Sequence, residues 1–187
     1  MVSQVRVSAP STPSRPARLL AHPLLHTIEG TVQVFTSPHR TFFTKVMVQA
    51  MRRAGQGDAV LVVQFLKGGI RQGTDRPMQF GQTLDWIRAD LSRCLHTAED
   101  VTAAEQATIA QLWDEAQALA SSSRYGLVVL DELSLAIQFG LISEASVLNF
   151  LTSRPPQVDV ILTGPEMPET LLAIADQVTE FRRQFLS

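Results

Sequence analysis

The amino-acid sequence predicts an α/β protein with a mostly parallel β-sheet flanked by helices. Short apolar runs with no polar side recur along the chain, at 59–66, 127–130 and 158–162. Such runs are typical of strands that are buried on both faces of a parallel sheet. Segments whose apolar residues have helical spacing alternate with these runs, and that alternation is typical of α/β folds.

The composition is that of an ordinary globular domain. The 187 residues are 45% hydrophobic and 18% charged, and we expect a single domain over 29–187. The formal net charge of −2 predicts no nucleic-acid partner. No apolar run approaches the ~20 residues of a membrane-spanning helix. The one cysteine, Cys94, excludes an internal disulfide, which favours a cytoplasmic protein. Its side chain is expected to be buried or half-buried.

The first 28 residues differ from the rest of the chain. They are rich in proline, serine and arginine, and no acidic residue precedes Glu29. This composition cannot bury enough apolar surface to order itself, so we predict a flexible arm over 1–28. It is also similar to an organelle transit peptide, although a clear amphipathic helix is missing.

The first strand, helix and second strand are predicted from three consecutive patterns. Residues 31–35 suit a short strand, and apolar residues from about Thr41 to Ala54 suit a core-facing helix that ends at Gly55. After a turn at 57–58, the apolar run 59–66 predicts a second strand. Together they form a βαβ unit.

The remaining elements follow in order. Residues 67–97 are interrupted by several glycines and predict a long loop that includes Leu84 to Ile87. Long loops of this kind are usually functional. Thr102 and Glu105 predict a capping box for a long helix in which Trp113 faces the core. Beyond the central strand we predict helices at 134–139, from 143 to about 154 and at 168–176, strands at 158–162 and 178–181, and a turn at 163–165.

The central strand carries the first candidate site. Its apolar run, 127–130, is followed by Asp131 and Glu132. Ligands of open α/β sheets bind beyond the carboxyl ends of the strands. An apolar run followed by Asp-Glu is the Walker B pattern, in which the aspartate binds Mg²⁺ and the glutamate polarises a nucleophile. The alternative is a structural strand whose acidic end caps the next helix.

A Walker B strand calls for a phosphate-binding loop, G-x-x-x-x-G-K-[ST], between the first strand and the first helix. The corresponding residues, 36–44, read TSPHRTFFT and contain none of its glycines. Pro38 removes one amide donor, and Phe42 and Phe43 replace the lysine and the hydroxyl residue. The residues of this degenerate loop are Ser37, Pro38, His39, Phe42 and Phe43.

Two interpretations of this loop stay open. The amino end of a helix and the nearby cations Arg40 and Lys45 leave weaker anion binding open. The other interpretation is that the segment is only a folded turn. A lost lysine alone would cost orders of magnitude in the rate of phosphate chemistry.

Five stretches between 31 and 180 form a recognisable set: VVQFLKG at 62–68, LVVLDEL at 127–133, RPP at 154–156, VILTG at 160–164 and ADQVTE at 175–180. On these stretches the chain resembles the P-loop type of ATP:corrinoid adenosyltransferase. The resemblance implies a P-loop NTPase-like (RecA-like) three-layer sandwich, with ATP, Mg²⁺ and a corrinoid as ligands. It also suggests a homodimer in which the N-terminal arm covers the neighbouring site.

The departures from the family lie in its active site. The glycine-rich, lysine-bearing loop of the family is missing, and Pro165 stands where the family has an arginine. The chain is therefore expected to be a non-catalytic or weakly active binding or regulatory homologue, bound to a ligand or a protein partner. The alternative is an active adenosyltransferase in which Arg40 or Lys45 contacts phosphates, Thr44 and Asp131 hold Mg²⁺, and Glu132 orients the site.

A third hypothesis is a carrier of a corrinoid or another tetrapyrrole. Apolar, tryptophan-bearing loops can cover a macrocycle, and the sequence offers Trp86 in the predicted long loop. Gln64 and Lys67, at the end of the second strand, would complete this ligand loop.

Overall fold

The structure, a computed structural model, describes residues 29–70, 72–73 and 75–182. The predicted arm over 1–28 lies outside the described residues. Within them the chain forms five helices and seven strands. The helices are α1 Thr44–Gly55, α2 Ala103–Ser121, α3 Leu133–Gln138, α4 Glu144–Ser153 and α5 Glu169–Ala173. The strands are β1 Val32–Ser37, β2 Val60–Gln64, β3 Met78–Phe80, β4 Leu84–Arg88, β5 Leu127–Asp131, β6 Asp159–Pro165 and β7 Gln177–Glu180.

All described strands join one sheet in the order β3-β4-β2-β5-β6-β1-β7. Every pairing is parallel except that of β3 with β4. Residues of α1 pack on one face of the sheet, and residues of α2, α3 and α4 pack on the other. The predicted α/β class with a mostly parallel sheet and three layers is therefore confirmed.

Strands β2 and β5 show why the apolar runs form this sheet. All five residues of each strand are buried. Successive side chains of a strand point to opposite faces, so Leu61 and Val63 enter the core under α2, while Val60 and Val62 enter the core under α1. A strand with two buried faces is apolar at nearly every position, and here only the last residues, Gln64 and Asp131, are polar.

Helix α2 forms as its sequence predicts. The Thr102 hydroxyl accepts a hydrogen bond from the Glu105 amide, and the Glu105 carboxylate accepts one from the Thr102 amide, which completes the capping box. Trp113 is buried, and its Nε1 donates to Ser146 Oγ at 2.8 Å. Its predicted position in the core is confirmed.

The prediction of a continuous loop over 67–97 is wrong. This segment contains β3 and β4, and β4 lies between β3 and β2 inside the sheet. Asp85 hides the strand pattern, because a carboxylate in the middle of a short run lowers its hydrophobicity. The structure accommodates Asp85 by bonds from Tyr125 Oη at 2.6 Å and Arg124 Nη2 at 2.9 Å. Trp86 is accordingly a strand residue and not a loop residue.

Several helix and strand boundaries in the structure differ from the predicted ones. β1 extends through Ser37, and β6 extends through Pro165, so the predicted turn at 163–165 is strand. Both extensions follow from parallel pairing of Thr36 with Gly164 and of Ser37 with Pro165. Helix α1 begins at Thr44, because Phe43 takes a non-helical conformation before it. Cys94 is exposed, contrary to its expected burial.

The cluster around Asp85 gives a prediction for alkaline pH. Burial raises the pKa of Tyr125 well above its ordinary range, and the hydrogen bond to Asp85 raises it further. The neutral phenol thus stabilises the fold below the pKa of unfolded tyrosine, and this contribution is lost as the pH rises through the folded pKa. Tyr125 is the only tyrosine, so its near-ultraviolet absorbance reports it alone.

We expect no tyrosinate signal from the native protein at the pH where free tyrosine ionises. In Asp85→Asn the signal should begin at lower pH, because the negative charge that opposes ionisation is removed. A native protein that titrates like free tyrosine would contradict the described burial.

Candidate functional site

The candidate site lies at the carboxyl ends of β1, β2, β5 and β6. The segment 38–43, here called the cradle loop, joins β1 to α1 at this edge. Gln64 and Asp131 are register partners and are the last residues of β2 and β5. The Asp131 carboxylate therefore lies at the carboxyl edge of the sheet. This is the edge where α/β sheets bind ligands.

Asp131 is a buried carboxylate with three hydrogen-bond donors. Its Oδ2 accepts from Gln64 Nε2 at 2.7 Å and from Lys67 Nζ at 2.6 Å. Its Oδ1 accepts from Thr163 Oγ1 at 2.8 Å. The side chain of Asp131 is 1% exposed and that of Lys67 is 20% exposed. The charge of the carboxylate is therefore offset inside the protein by a cation of its own chain.

Glu132 makes the second ion pair of the site. It has the left-handed φ of +60°, and its amide donates to Thr163 Oγ1 at 3.0 Å. Its carboxylate accepts from Arg40 Nε at 2.7 Å and Nη2 at 2.8 Å, a bidentate arrangement. Arg40 Nη1 also donates to the Leu95 carbonyl at 2.6 Å. The hydrogen bond to Glu132 raises the pKa of Arg40 despite opposing desolvation.

The two phenylalanines of the cradle loop have different surroundings. Phe43 is 3% exposed and packs edge to face on Phe181, with ring centroids 5.8 Å apart. Phe42 is 51% exposed, and Lys67 Nζ lies 4.7 Å from its ring centroid. Phe43 thus anchors the start of α1 to the core, and Phe42 lies against the cation that pairs with Asp131.

The rest of the cradle loop is held by local contacts. Ser37 Oγ donates to the His39 carbonyl at 2.6 Å, and Pro38 between them has no amide to offer. The amide of Thr44 donates to the Phe42 carbonyl at 3.0 Å, which occupies a donor at the start of α1. Helix α1 has no side-chain cap and no acidic residue in its first turn.

The structure brings together some of the residues singled out from the sequence. Five of them meet at the strand ends: Arg40, Gln64, Lys67, Asp131 and Glu132. Lys45 lies apart from them, with its Nζ 5.2 Å from the centroid of the Phe181 ring. Thr44 is exposed at the first position of α1.

Thr163 is a site residue that the sequence analysis missed. It donates to Asp131 and accepts from the Glu132 amide, so it holds both acidic residues. The available signal was a hydroxyl residue directly after the apolar run of a strand. The predicted turn at 163–165 obscured that signal.

Other features of the molecule lie away from this site. A cavity of about 340 Å³ lies near the start of β1, between the end of α4 and the segment before β7. Within the described residues no cluster of three or more His, Cys, Asp or Glu could hold a metal ion. None of the helices in the described part is long and apolar enough to cross a membrane.

The fold and this edge together define a class of protein. The inner strand β5 ends at Asp131 and is followed by Glu132, which contacts Arg40 of the loop between β1 and α1. A parallel sheet with this edge is a P-loop NTPase-like α/β arrangement. The family model of ATP:corrinoid adenosyltransferase BtuR/CobO/CobP matches residues 29–184. The chain belongs to this family.

Individual relatives agree with the family match. A corrinoid adenosyltransferase of Sinorhizobium sp. is 29% identical over 164 residues, which cover 81% of this chain and 72% of the relative. One of Escherichia coli K12 is 29% identical over 154 residues, covering 82% and 76%. An uncharacterized protein of Nostoc sp. is 32% identical over 129 residues, which are 66% of this chain and only 34% of that protein.

Proposed function

We propose that this chain is a corrinoid-binding member of the adenosyltransferase family that does not hold Mg²⁺ and ATP in the ordinary way, and that it is non-catalytic or weakly active. One observation carries the proposal. The two carboxylates that would serve Mg²⁺ and the nucleophile are already paired with Lys67 and Arg40. Of the two cations that would contact the phosphates, Arg40 is thereby engaged as well, and Lys45 lies apart, over the ring of Phe181.

The residues at the cradle do not fit a triphosphate. A phosphate-binding loop uses glycines so that its backbone amides can approach the phosphate oxygens. Residues 38–43 contain no glycine and begin with a proline. Phe42 occupies the position of the phosphate-binding lysine in the motif, and its ring can supply no charge.

The carboxylates fit a metal ion equally poorly. An oxygen site for Mg²⁺ needs lone pairs that are available to the metal. Asp131 accepts three hydrogen bonds, and one donor is an ammonium group. A divalent cation would have to displace or repel Lys67 to bind there.

We infer that corrinoid binding is the part of the family's function that this chain retains. The motifs VVQFLKG and LVVLDEL survive at the carboxyl ends of β2 and β5, whereas the changes lie in the cradle loop and at Pro165. We therefore assign the chain a binding or regulatory role toward a corrinoid.

A thermal-shift comparison tests this function. Cobinamide, a corrinoid with amide side chains, is expected to raise the melting temperature, because a ligand that binds only the native state stabilises it. Mg²⁺ with ATP at the same concentration is expected to leave it unchanged. A shift with Mg²⁺ and ATP, together with formation of an adenosylated corrinoid, would instead establish an active enzyme with an atypical cradle.

A further inference from the structure

In the described part of the chain, three buried polar atoms without hydrogen-bond partners lie on the neighbouring strands β2 and β4. Among the described residues, Gln64 Oε1, Trp86 Nε1 and Arg88 Nε have no hydrogen-bond partner. An unpaired buried polar atom costs about as much free energy as a lost hydrogen bond, so folded proteins leave few of them. Gln64 and Arg88 end their strands at the ligand edge of the sheet, and Trp86 lies two positions before Arg88, so the three unpaired atoms call for an explanation.

The three residues are neighbours on one face of the sheet. Gln64 and Arg88 are register partners at the ends of the parallel strands β2 and β4. Trp86 precedes Arg88 by two positions, and side chains two apart in a strand share a face. The guanidinium carbon of Arg88 lies 5.8 Å from the centroid of the Trp86 ring. We call these three residues the strand-end site.

The orientation of the Gln64 amide is fixed by Asp131. Gln64 Nε2 donates to Asp131 Oδ2 at 2.7 Å. A flipped amide would place an oxygen against the carboxylate, which accepts hydrogen bonds and cannot donate one when ionised. Oε1 is therefore the atom that remains for a ligand, and Gln64 itself is 1% exposed.

The strand-end site offers one unpaired acceptor and two unpaired donors. The indole N–H of Trp86 and the Nε–H of Arg88 can only donate, and the Gln64 oxygen can only accept. In the described residues Arg88 makes no salt bridge, although its Nε is buried. A group that satisfies all three atoms must accept two hydrogen bonds and donate one.

The geometry points to recognition of a neutral primary carboxamide at the strand-end site. A carboxamide oxygen has two lone pairs, for Trp86 and Arg88, and its NH₂ group donates to Gln64. A carboxylate could accept from both donors, but it would leave the Gln64 oxygen facing another acceptor. Such a site discriminates between the two groups because the wrong one leaves a buried polar atom unpaired.

This inference rests on the proposed function, because it names the corrinoid group that the protein recognises. Corrinoids carry carboxamides on their periphery, and Gln64 of the strand-end site donates to the same Asp131 oxygen as Lys67 at the ligand edge. The site would thus favour an amidated corrinoid over a corrinoid that carries the free acid at the same place.

The two tryptophans of the chain provide a matched test. Trp86 and Trp113 are similarly buried, at 8% and 5% exposed, but within the described ranges only the indole N–H of Trp113 has a hydrogen-bond partner, Ser146 Oγ at 2.8 Å. Trp86→Phe is expected to weaken cobinamide binding to the full chain by roughly tenfold, measured by equilibrium dialysis. Trp113→Phe should leave the affinity unchanged. Equal affinities of the two variants would overturn the inference.

The stabilities of the same variants should show the opposite order. Both variants lose part of a ring, but Trp113→Phe also breaks a hydrogen bond, while Trp86→Phe removes a donor without a partner. The melting temperature of Trp86→Phe should therefore fall less. A larger fall for Trp86→Phe would mean that its N–H is already satisfied, which contradicts the inference.

Small probes separate this inference from the proposed function. Propionamide is expected to compete with cobinamide, and propionate is not; equal competition would overturn the inference while corrinoid binding stands. If cobinamide does not bind at all, the proposed function fails. The strand-end site is then tested in Trp113→Phe, where Trp86 is the only tryptophan: a fluorescence response to propionamide but not to propionate supports it, and no response overturns it.

Discussion

Arg40→Met is expected to lower the free energy of unfolding by about 3 kcal/mol, because it leaves the Glu132 carboxylate buried without a partner. The side chain of Glu132 is 5% exposed, and Arg40 supplies two hydrogen bonds to it. An exposed ion pair of similar geometry would contribute little, since water solvates both partners when the pair is broken. Urea denaturation measures the difference.

Two controls isolate the buried pair. Arg182→Met removes an exposed bidentate pair with Glu180 and should cause no measurable loss. The double variant Arg40→Met, Glu132→Gln should recover most of the stability lost in Arg40→Met, because no unpaired charge remains. If Arg40→Met is as stable as Arg182→Met, the carboxylate is not held as the structure describes.

Gly164→Ala is expected to be more disruptive than an ordinary glycine substitution, with a loss of about 3 kcal/mol or more from strain and overpacking together. Its φ of +142° disfavours a side chain, and an added Cβ would lie 2.1 Å from Ser134 Oγ. Ser134 is fully buried at the start of α3 and donates to the Pro165 carbonyl, so it has little room to move. The glycine lets α3 approach β6, beside Thr163.

Gly140→Ala is the matched control for this substitution. Its φ of +70° is also left-handed, but an added Cβ would meet nothing within 4 Å. Only backbone strain remains there, about 1 kcal/mol. Thermal unfolding of the two variants therefore separates strain from steric overlap. Equal melting temperatures would contradict the close packing of α3 on β6.

The buried strands could be predicted because their signal is local. A run such as 127–131, buried on both faces, must be apolar at nearly every position whatever its neighbours are. β4 was missed because Asp85 is tolerated through Arg124 and Tyr125, which are 39 and 40 positions away. No local pattern contains that compensation.

The candidate site was predicted only as a set of residues. The sequence placed Asp131 and Glu132 at the end of a strand, and this placement is what the fold provides. It could not predict their partners, because Arg40 and Glu132 are 92 positions apart and Lys67 and Asp131 are 64 apart. A cation near a missing phosphate loop is expected to serve an anion, and only the fold identifies that anion as the chain's own carboxylate.

Calorimetric titration of Mg²⁺ and ATP into the native chain tests the central claim most directly. The same titration of the Phe42→Lys, Phe43→Thr variant shows what a restored lysine and hydroxyl residue contribute. We expect no saturable heat from the native chain, in a sample whose cooperative thermal transition verifies folding, because Lys67 and Arg40 remain on Asp131 and Glu132. Saturable micromolar binding by the native chain would contradict the account and would mean that the cradle has been rebuilt for ATP.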